Sequence, residues 1–232
     1  MKIQQVAGFA CENVTGLVVV IDVLRAFTTA AFAFAAGAKE IFLVSSIEEA
    51  FDLREKIPDA LLMGENGGVF IPGFDYGNSP AALIGETLNG RSLIQRTSAG
   101  TQSVINSKNA NQILVSSFVV AKATVQHIRA LAPAQVTFVN SGVHPTKEGF
   151  GHEDIICSDY LTAWLAGNHP DPDPYLQHVL ECPTSIKFQN APNPRLQDDL
   201  KCAVELDRFP FALPVHRQNG MHILRPHPPH PS

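Results

Sequence analysis

Short apolar runs alternate with helical segments between residues 17 and 153, and this alternation restricts the fold more than any other feature of the sequence. The run Leu17-Val-Val-Val-Ile21 is typical of a strand that is buried on both faces. The Ala/Phe-rich segment from Arg25 to Ala36 predicts a helix that Gly37 ends. Further strands are predicted at 41–44, 60–63, 92–96, 112–115 and 136–139. This order predicts an α/β fold with a largely parallel sheet covered by helices.

The polar positions that follow the strands favour an internal duplication. Asp22 lies 75 residues before Thr97, and Gly64 lies 77 residues before Ser141, so equivalent strand ends recur at similar offsets. Any alternating chain shows some of this rhythm, because its connections have similar lengths. We predict two similar halves that together form one shared cleft.

The predicted organisation has three parts. A first half covers 1–90, a second half with C-terminal closing elements covers 91–224, and a disordered Pro/His-rich tail covers 225–232. Within the second half, a helix is predicted at 194–206 and a closing hairpin around Asn219-Gly220.

The composition excludes several classes of protein. A net charge of −5 and a pI near 6.0 argue against a nucleic-acid surface, which would need a basic face. The most apolar stretch, 26–38, is shorter than the roughly 20 residues of a membrane span. No secretory signal is expected, because Lys2 precedes glutamines rather than an apolar region. The four cysteines form no CxxC pair, so we expect free thiols and a cytoplasmic protein.

The residues after the first strand are candidates for chemistry, because ligands bind at the carboxyl ends of parallel strands. Asp22 places a carboxylate at the end of an apolar strand, which costs free energy unless a partner stabilises the charge. That partner is either a hard cation such as Mg²⁺ or the N–H groups of the next helix, which Asp22 would cap. Arg25 lies at a helix start, where positive charge is unfavourable. It therefore predicts a neighbouring anion, which is a substrate phosphate or Asp22, unless it forms a salt bridge at the sheet edge.

Three loops add further candidates. Glu65, within Gly64-Glu-Asn-Gly-Gly68, either shares a cation with Asp22 or is an ordinary loop residue. The hydroxyl-rich turn Thr97-Ser-Ala-Gly-Thr101 offers N–H groups to a phosphate, although its spacing is not that of a P-loop. Asn78-Ser79 either caps the turn at Pro80 or contacts a ligand.

The start of the helix near residue 152 is acidic. Glu153 and Asp154 either satisfy the helix dipole or act as a metal ligand or general acid/base. Cys157 is interpreted as a core cysteine rather than a nucleophile.

The motifs occur in a familiar order: Val20-Ile-Asp-Val-Leu-Arg-Ala-Phe-Thr-Thr29, Gly64-Glu65, Ile71-Pro-Gly-Phe-Asp-Tyr-Gly-Asn-Ser-Pro80, Thr97-Ser-Ala-Gly-Thr101 and Glu153-Asp154. From about residue 17 to residue 215 the chain resembles the 2-phosphosulfolactate phosphatase family. The resemblance implies a three-layer α/β/α fold. It also implies Mg²⁺-dependent hydrolysis of phosphosulfolactate to sulfolactate and phosphate, a step toward coenzyme M.

The residues and the resemblance together give a predicted site. The catalytic residues are Asp22, Arg25 and Asp154, and the metal ligands are Asp22, Glu65 and Asp154. The substrate-binding residues are Arg25, Asn78, Ser79, Thr97, Ser98, Gly100 and Thr101.

The predicted ligand is a small anionic phosphate ester, and no nucleic-acid or membrane partner is expected. A homodimer is the assembly that we consider. Because Ser98-Ala99 departs from the Thr-Thr-Asn-Gly-Thr type of loop usual in the family, a module that binds the ester without turnover is the alternative function.

Overall fold

A computed structural model describes residues 1–146 and 149–228 of the chain. The strands are β1 (Lys2–Ala7), β2 (Leu17–Ile21), β3 (Glu40–Leu43), β4 (Leu61–Asn66), β5 (Val69–Phe70), β6 (Tyr76–Gly77), β7 (Ser92–Arg96), β8 (Gln112–Ser116), β9 (Gln135–Asn140), β10 (Leu213–Gln218) and β11 (Met221–Leu224). The α-helices are α1 (Ala26–Ala35), α2 (Ile47–Lys56), α3 (Gly100–Asn106), α4 (Ala121–Leu131), α5 (His152–Leu165), α6 (Asp173–Glu181), α7 (Pro183–Gln189) and α8 (Pro194–Ala203). Short 3₁₀ turns lie at Gly8–Ala10, Pro80–Leu83 and Phe118–Val120.

The strands form one sheet in the order β1-β9-β2-β8-β10-β11-β3-β7-β4-β5, with β6 paired to β4. Neighbours are parallel within β1-β9-β2-β8 and within β3-β7-β4. The hairpin β10–β11 joins these two blocks through three successive antiparallel pairings. The two parallel blocks therefore run in opposite directions.

The strand order has an internal symmetry. From β9 to β4 the order is β9-β2-β8-β10-β11-β3-β7-β4. If β2 is exchanged with β7, β3 with β8, β4 with β9 and β10 with β11, the result is the same order read backwards. Each block contains strands from both predicted halves, so the halves interleave within the sheet. The duplication itself, and the division of the chain at residue 90, stay predictions.

Helices cover both faces of the sheet in a three-layer arrangement. Helix α1 packs in a core that includes Val20 from one block and Met63 from the other. Nine of its ten residues are buried, which explains why the segment is apolar all round. A second core packs the other face of the first block against α4 and α5, and a third packs the second block against α2.

The predicted α/β fold with a largely parallel sheet is confirmed, and three details differ from expectation. The hairpin forms around Asn219-Gly220, but it lies in the middle of the sheet rather than closing an edge. The edge strand β1, the short strands β5 and β6 and the helices α6 and α7 were not predicted. In the predicted tail, His227 pairs with Ala212, while residues 229–232 lie outside the described residues. Among the described helices, none has the length and apolar character that crossing a bilayer requires.

Candidate functional site

Asp22 follows β2 directly and is 5% exposed. Its Oδ1 accepts a hydrogen bond from the Ala26 N–H at 2.8 Å, so Asp22 caps the first N–H of α1 although Arg25 is the N-cap residue. Its Oδ2 accepts one from the Ser141 hydroxyl at 3.0 Å. Capping therefore uses one oxygen of Asp22, while the other faces residues that follow a neighbouring strand.

Asp154, in the first turn of α5, lies beside Asp22. Its Oδ1 accepts the Val23 N–H and its Oδ2 the Gly142 N–H, both at 2.8 Å. The Ser141 hydroxyl is 3.4 Å from Asp154 Oδ2, so it stands between the two carboxylates. The sequence placed Ser141 directly after a strand, where ligands bind in such folds, but it was not among the predicted site residues.

Glu153 is the third buried carboxylate of this group, at 3% exposure. Its Oε2 has no hydrogen-bond partner within the described part of the chain. We call Asp22, Glu153 and Asp154 the acidic cluster.

Ionisation of the acidic cluster is unfavourable in the folded protein. Burial raises the pKa of Asp22 to about 6, against hydrogen bonds from Ala26 and Ser141 that lower it. Burial, with repulsion from Asp22, raises the pKa of Glu153 to about 7. Burial followed by repulsion from Asp22 and Glu153 raises the pKa of Asp154 well above its usual range. The Lys and Arg ion pairs of residues 1–146 and 149–228 all involve other carboxylates.

The turn Thr97–Thr101 packs against Asp22. A Cβ on Gly100 would lie 2.7 Å from Asp22 Oδ2 and 2.8 Å from the Ala26 Cβ, so only glycine fits without displacement. Thr97 N–H donates to Thr101 Oγ1 at 2.9 Å, and the Thr101 hydroxyl donates to the Thr97 carbonyl at 2.9 Å. The two threonine hydroxyls thus shape the turn from within.

Glu65 links this turn to the end of β4. It accepts the Ser98 N–H at 2.6 Å and the Gly68 N–H at 2.5 Å. It is also close enough to Asp22 for its charge to contribute to the raised pKa of that residue, after burial. Glu65 therefore lies at the site, with both oxygens already accepting hydrogen bonds from neighbouring loops.

Arg25 forms a second group with residues of the Gly-Asn-Ser-Pro motif. Its Nη1 donates to Asp199 Oδ2 at 2.6 Å, and its guanidinium lies 5.2 Å from the centre of the Phe188 ring. Ser79 donates to the other oxygen of Asp199, also at 2.6 Å. The anion expected beside Arg25 is therefore Asp199 rather than Asp22. Asn78 Oδ1 is buried without a partner among the described residues.

Cys157 belongs to the core, as expected. It is fully buried against the first block, and burial raises the pKa of its thiol well above the usual range. A thiol of that kind is a poor nucleophile.

The acidic cluster has some properties of a Mg²⁺ site. In the described ranges no three His, Cys, Asp or Glu side chains converge as a ready metal shell. Mg²⁺, however, binds commonly through one or two carboxylates with water and substrate oxygens in the remaining positions. Buried carboxylates that repel one another without a basic partner suit such a cation. The donor set fits Mg²⁺ held by Asp22 and Asp154.

Fold and site together define an α/β protein with a buried acidic cluster at strand ends, packed against a turn rich in hydroxyl groups. The family model described as 2-phosphosulpholactate phosphatase matches residues 6–178, and the chain belongs to that family.

Curated relatives agree with this assignment. The chain is 40% identical over 151 residues to a protein of Bacillus subtilis, covering 65% of this chain and 64% of that protein. It is 44% identical over 149 residues to one of Carboxydothermus hydrogenoformans, covering 64% and 60%. Both relatives carry the name probable 2-phosphosulfolactate phosphatase. The matched part of the chain spans less than two thirds of the length of each, and α7 and α8 lie beyond the residues that the family model matches.

Proposed function

We propose that the chain is a Mg²⁺-dependent phosphatase that hydrolyses 2-phosphosulfolactate, or a similar small anionic phosphate ester, to sulfolactate and phosphate. The observation that carries the proposal is the packing of Gly100 directly against Asp22. This contact supports the proposal because it brings the Thr97–Thr101 turn next to the acidic cluster. A phosphate ester is best held between a cation and N–H dipoles, because two acidic walls would repel it.

The residues of the acidic cluster have different proposed roles. Asp22 and Asp154 would hold Mg²⁺, with Glu65 nearby, and the bound cation would neutralise the phosphoryl oxygens. The Ser141 hydroxyl, which lies between the two aspartates, would fix their relative positions. Glu153, whose Oε2 has no partner within the described residues, would exchange a proton with the reacting groups.

The anion-binding residues lie on the other elements. The N–H groups of Thr97, Ser98 and Thr101 already donate within the protein, so the Thr97–Thr101 turn would bind a phosphoryl oxygen through the Ala99 N–H and its hydroxyl groups. Arg25 keeps guanidinium donors beyond the one that binds Asp199, and these would contact the ester with help from the Asn78-Ser79 turn. We also propose a cytoplasmic setting, where the four free thiols would stay reduced, and a place in coenzyme M biosynthesis. Assembly as a homodimer stays a prediction.

Phosphate release from racemic 2-phosphosulfolactate tests the proposal. We expect turnover with Mg²⁺ and its loss in excess EDTA, restored when Mg²⁺ is added back. Full activity in EDTA would remove the metal from the mechanism. If the ester raises the Tm but stays intact over hours, the chain is instead a binding module for such anions.

A further inference from the structure

Asp199 of α8 is a fully buried carboxylate that joins three parts of the chain. Its Oδ2 accepts from Arg25 Nη1 at 2.6 Å. Its Oδ1 accepts from the Ser79 hydroxyl at 2.6 Å and from the Ala81 N–H at 3.1 Å. Arg25 precedes α1, whereas Ser79 belongs to the Gly-Asn-Ser-Pro motif and Ala81 to the 3₁₀ turn that follows it. One carboxylate therefore fixes both groups that are proposed to bind the substrate anion.

Helix α7 contributes a second contact to Arg25. The Phe188 ring centre lies 5.2 Å from the Arg25 guanidinium, so this group contacts both an aromatic ring and a carboxylate. The Arg25 side chain is only 12% exposed, which leaves it few alternative orientations. Asp199 balances the charge of Arg25 through one nitrogen, and this contact fixes the orientation of the remaining N–H groups of the guanidinium.

We propose that Asp199 is a positioning residue, which holds Arg25 and the Ser79 turn as one preorganised unit for binding the phosphate ester. This inference rests on the proposed function of the site. It brings α8, which lies outside the residues matched by the family model, into the substrate-binding machinery. A preorganised cation binds an anion without first losing side-chain entropy, so the effect of Asp199 falls on affinity.

The test compares Asp199→Asn with Asp198→Asn. Asp198 is the neighbouring residue on the same helix, is exposed and pairs with Lys201, so it receives the same chemical change away from the site. We expect Asp199→Asn to raise KM for 2-phosphosulfolactate by about tenfold or more and to change kcat by less than about threefold, the pattern of lost uniform binding. Asp198→Asn should keep the parental KM.

Calorimetric titration with inorganic phosphate separates this inference from the proposed function, because it needs no turnover. If phosphate binds more weakly to Asp199→Asn than to the parent, the inference stands even when the parent hydrolyses no ester. If the parent turns the ester over while Asp199→Asn keeps its KM and phosphate affinity, the inference is overturned and the function survives. Tighter phosphate binding by Asp199→Asn would also overturn it, since Asp199 would then compete with the anion.

Asp199→Glu guards against a variant that fails to fold. It keeps the charge and the ion pair but moves the carboxylate by one methylene. Overpacking of this buried site will lower the Tm, so a positioning role predicts a raised KM in protein assayed well below the Tm of the variant. A parental KM in Asp199→Glu would show that only the charge balance matters and would overturn the proposal.

Discussion

Asp22 makes both a local contact within its own segment and a tertiary contact with a distant one. One oxygen caps α1 through the Ala26 N–H, and the other faces Ser141 and the Gly100 turn. The sequence left the capping and metal interpretations open, and the geometry accommodates both because the two oxygens point to different partners.

Removing the charge of Asp22 should separate stability from function. In Asp22→Asn the amide oxygen still caps Ala26, and the loss of charge relieves repulsion within the acidic cluster. We expect the Tm in EDTA at pH 8 to equal or exceed that of the parent, while the Mg²⁺-induced rise in Tm disappears and turnover falls by about 100-fold or more. Differential scanning fluorimetry and phosphate release measure both. Asp52→Asn, on the exposed side of α2, is the control, and wild-type turnover in Asp22→Asn at saturating Mg²⁺ would contradict the assignment.

Gly100 is required for steric rather than conformational reasons. A methyl group there would approach Asp22 Oδ2 and the Ala26 Cβ below 3 Å, whereas one on Gly77 would meet only the Phe70 ring at 3.5 Å. We expect Gly100→Ala to lower the free energy of unfolding by roughly 1–3 kcal/mol through overpacking and to reduce turnover, with little change in Gly77→Ala. Denaturant unfolding measures the difference, and equal stability of both variants would contradict the close approach.

At the scale of elements, the hairpin β10–β11 joins the two parallel blocks of the sheet. It lies between the two parallel blocks, and its pairings with β8 and β3 are the connection within the sheet between them. Its turn, Asn219-Gly220, has positive φ at both residues, which is the geometry of the tightest hairpins.

The same Gly→Ala substitution should destabilise the protein more in a turn held between paired strands than in a loop that no strand holds. Gly220 has φ +77° and Gly85 has φ +82°, and a Cβ on either would meet nothing within 4 Å. The loop at Gly85 can relax, but the turn at Gly220 is held by strands on both sides. We expect Gly220→Ala to lower the free energy of unfolding by about 1–2 kcal/mol and Gly85→Ala by less. Guanidinium unfolding tests this, and an equal loss would show that the hairpin is as free as the loop.

At the scale of the whole molecule, the acidic cluster links stability to pH. Folding raises the pKa of Asp22 to about 6 and that of Glu153 to about 7, so the folded state binds more protons than the unfolded state between about pH 4 and 7. The contribution of these groups is therefore most favourable below the unfolded pKa values and is lost as the pH rises through the folded ones.

Mg²⁺ should restore the stability that is lost at high pH, since a cation favours the ionised carboxylates. We expect Mg²⁺ to raise the Tm more at pH 8 than at pH 5, where protons compete for the same oxygens. Asp22→Asn should flatten this dependence. Thermal unfolding in matched buffers with Mg²⁺ or EDTA provides the measurement, and an equal Mg²⁺ shift at both pH values would argue against binding at the cluster.

Much of the candidate site could be predicted from local sequence. Asp22, the Thr97–Thr101 turn and the Glu153-Asp154 helix start were candidates because each follows a strand or opens a helix, and the structure brings them close together. Asp199 was missed, since nothing in its amphipathic helix distinguishes it from the exposed Asp198 beside it.

The sequence by itself determined most of the strands and helices between residues 17 and 153 and which polar residues end them, because those properties follow from periodicity, capping and burial within a few residues. Only the tertiary structure decided that the two parallel blocks run in opposite directions, that a C-terminal hairpin lies between them, and that Arg25 pairs with a carboxylate 174 residues away. The reason is physical. Strand pairing and buried ion pairs depend on which distant surfaces pack together, and that packing is decided by the core as a whole rather than by any local pattern.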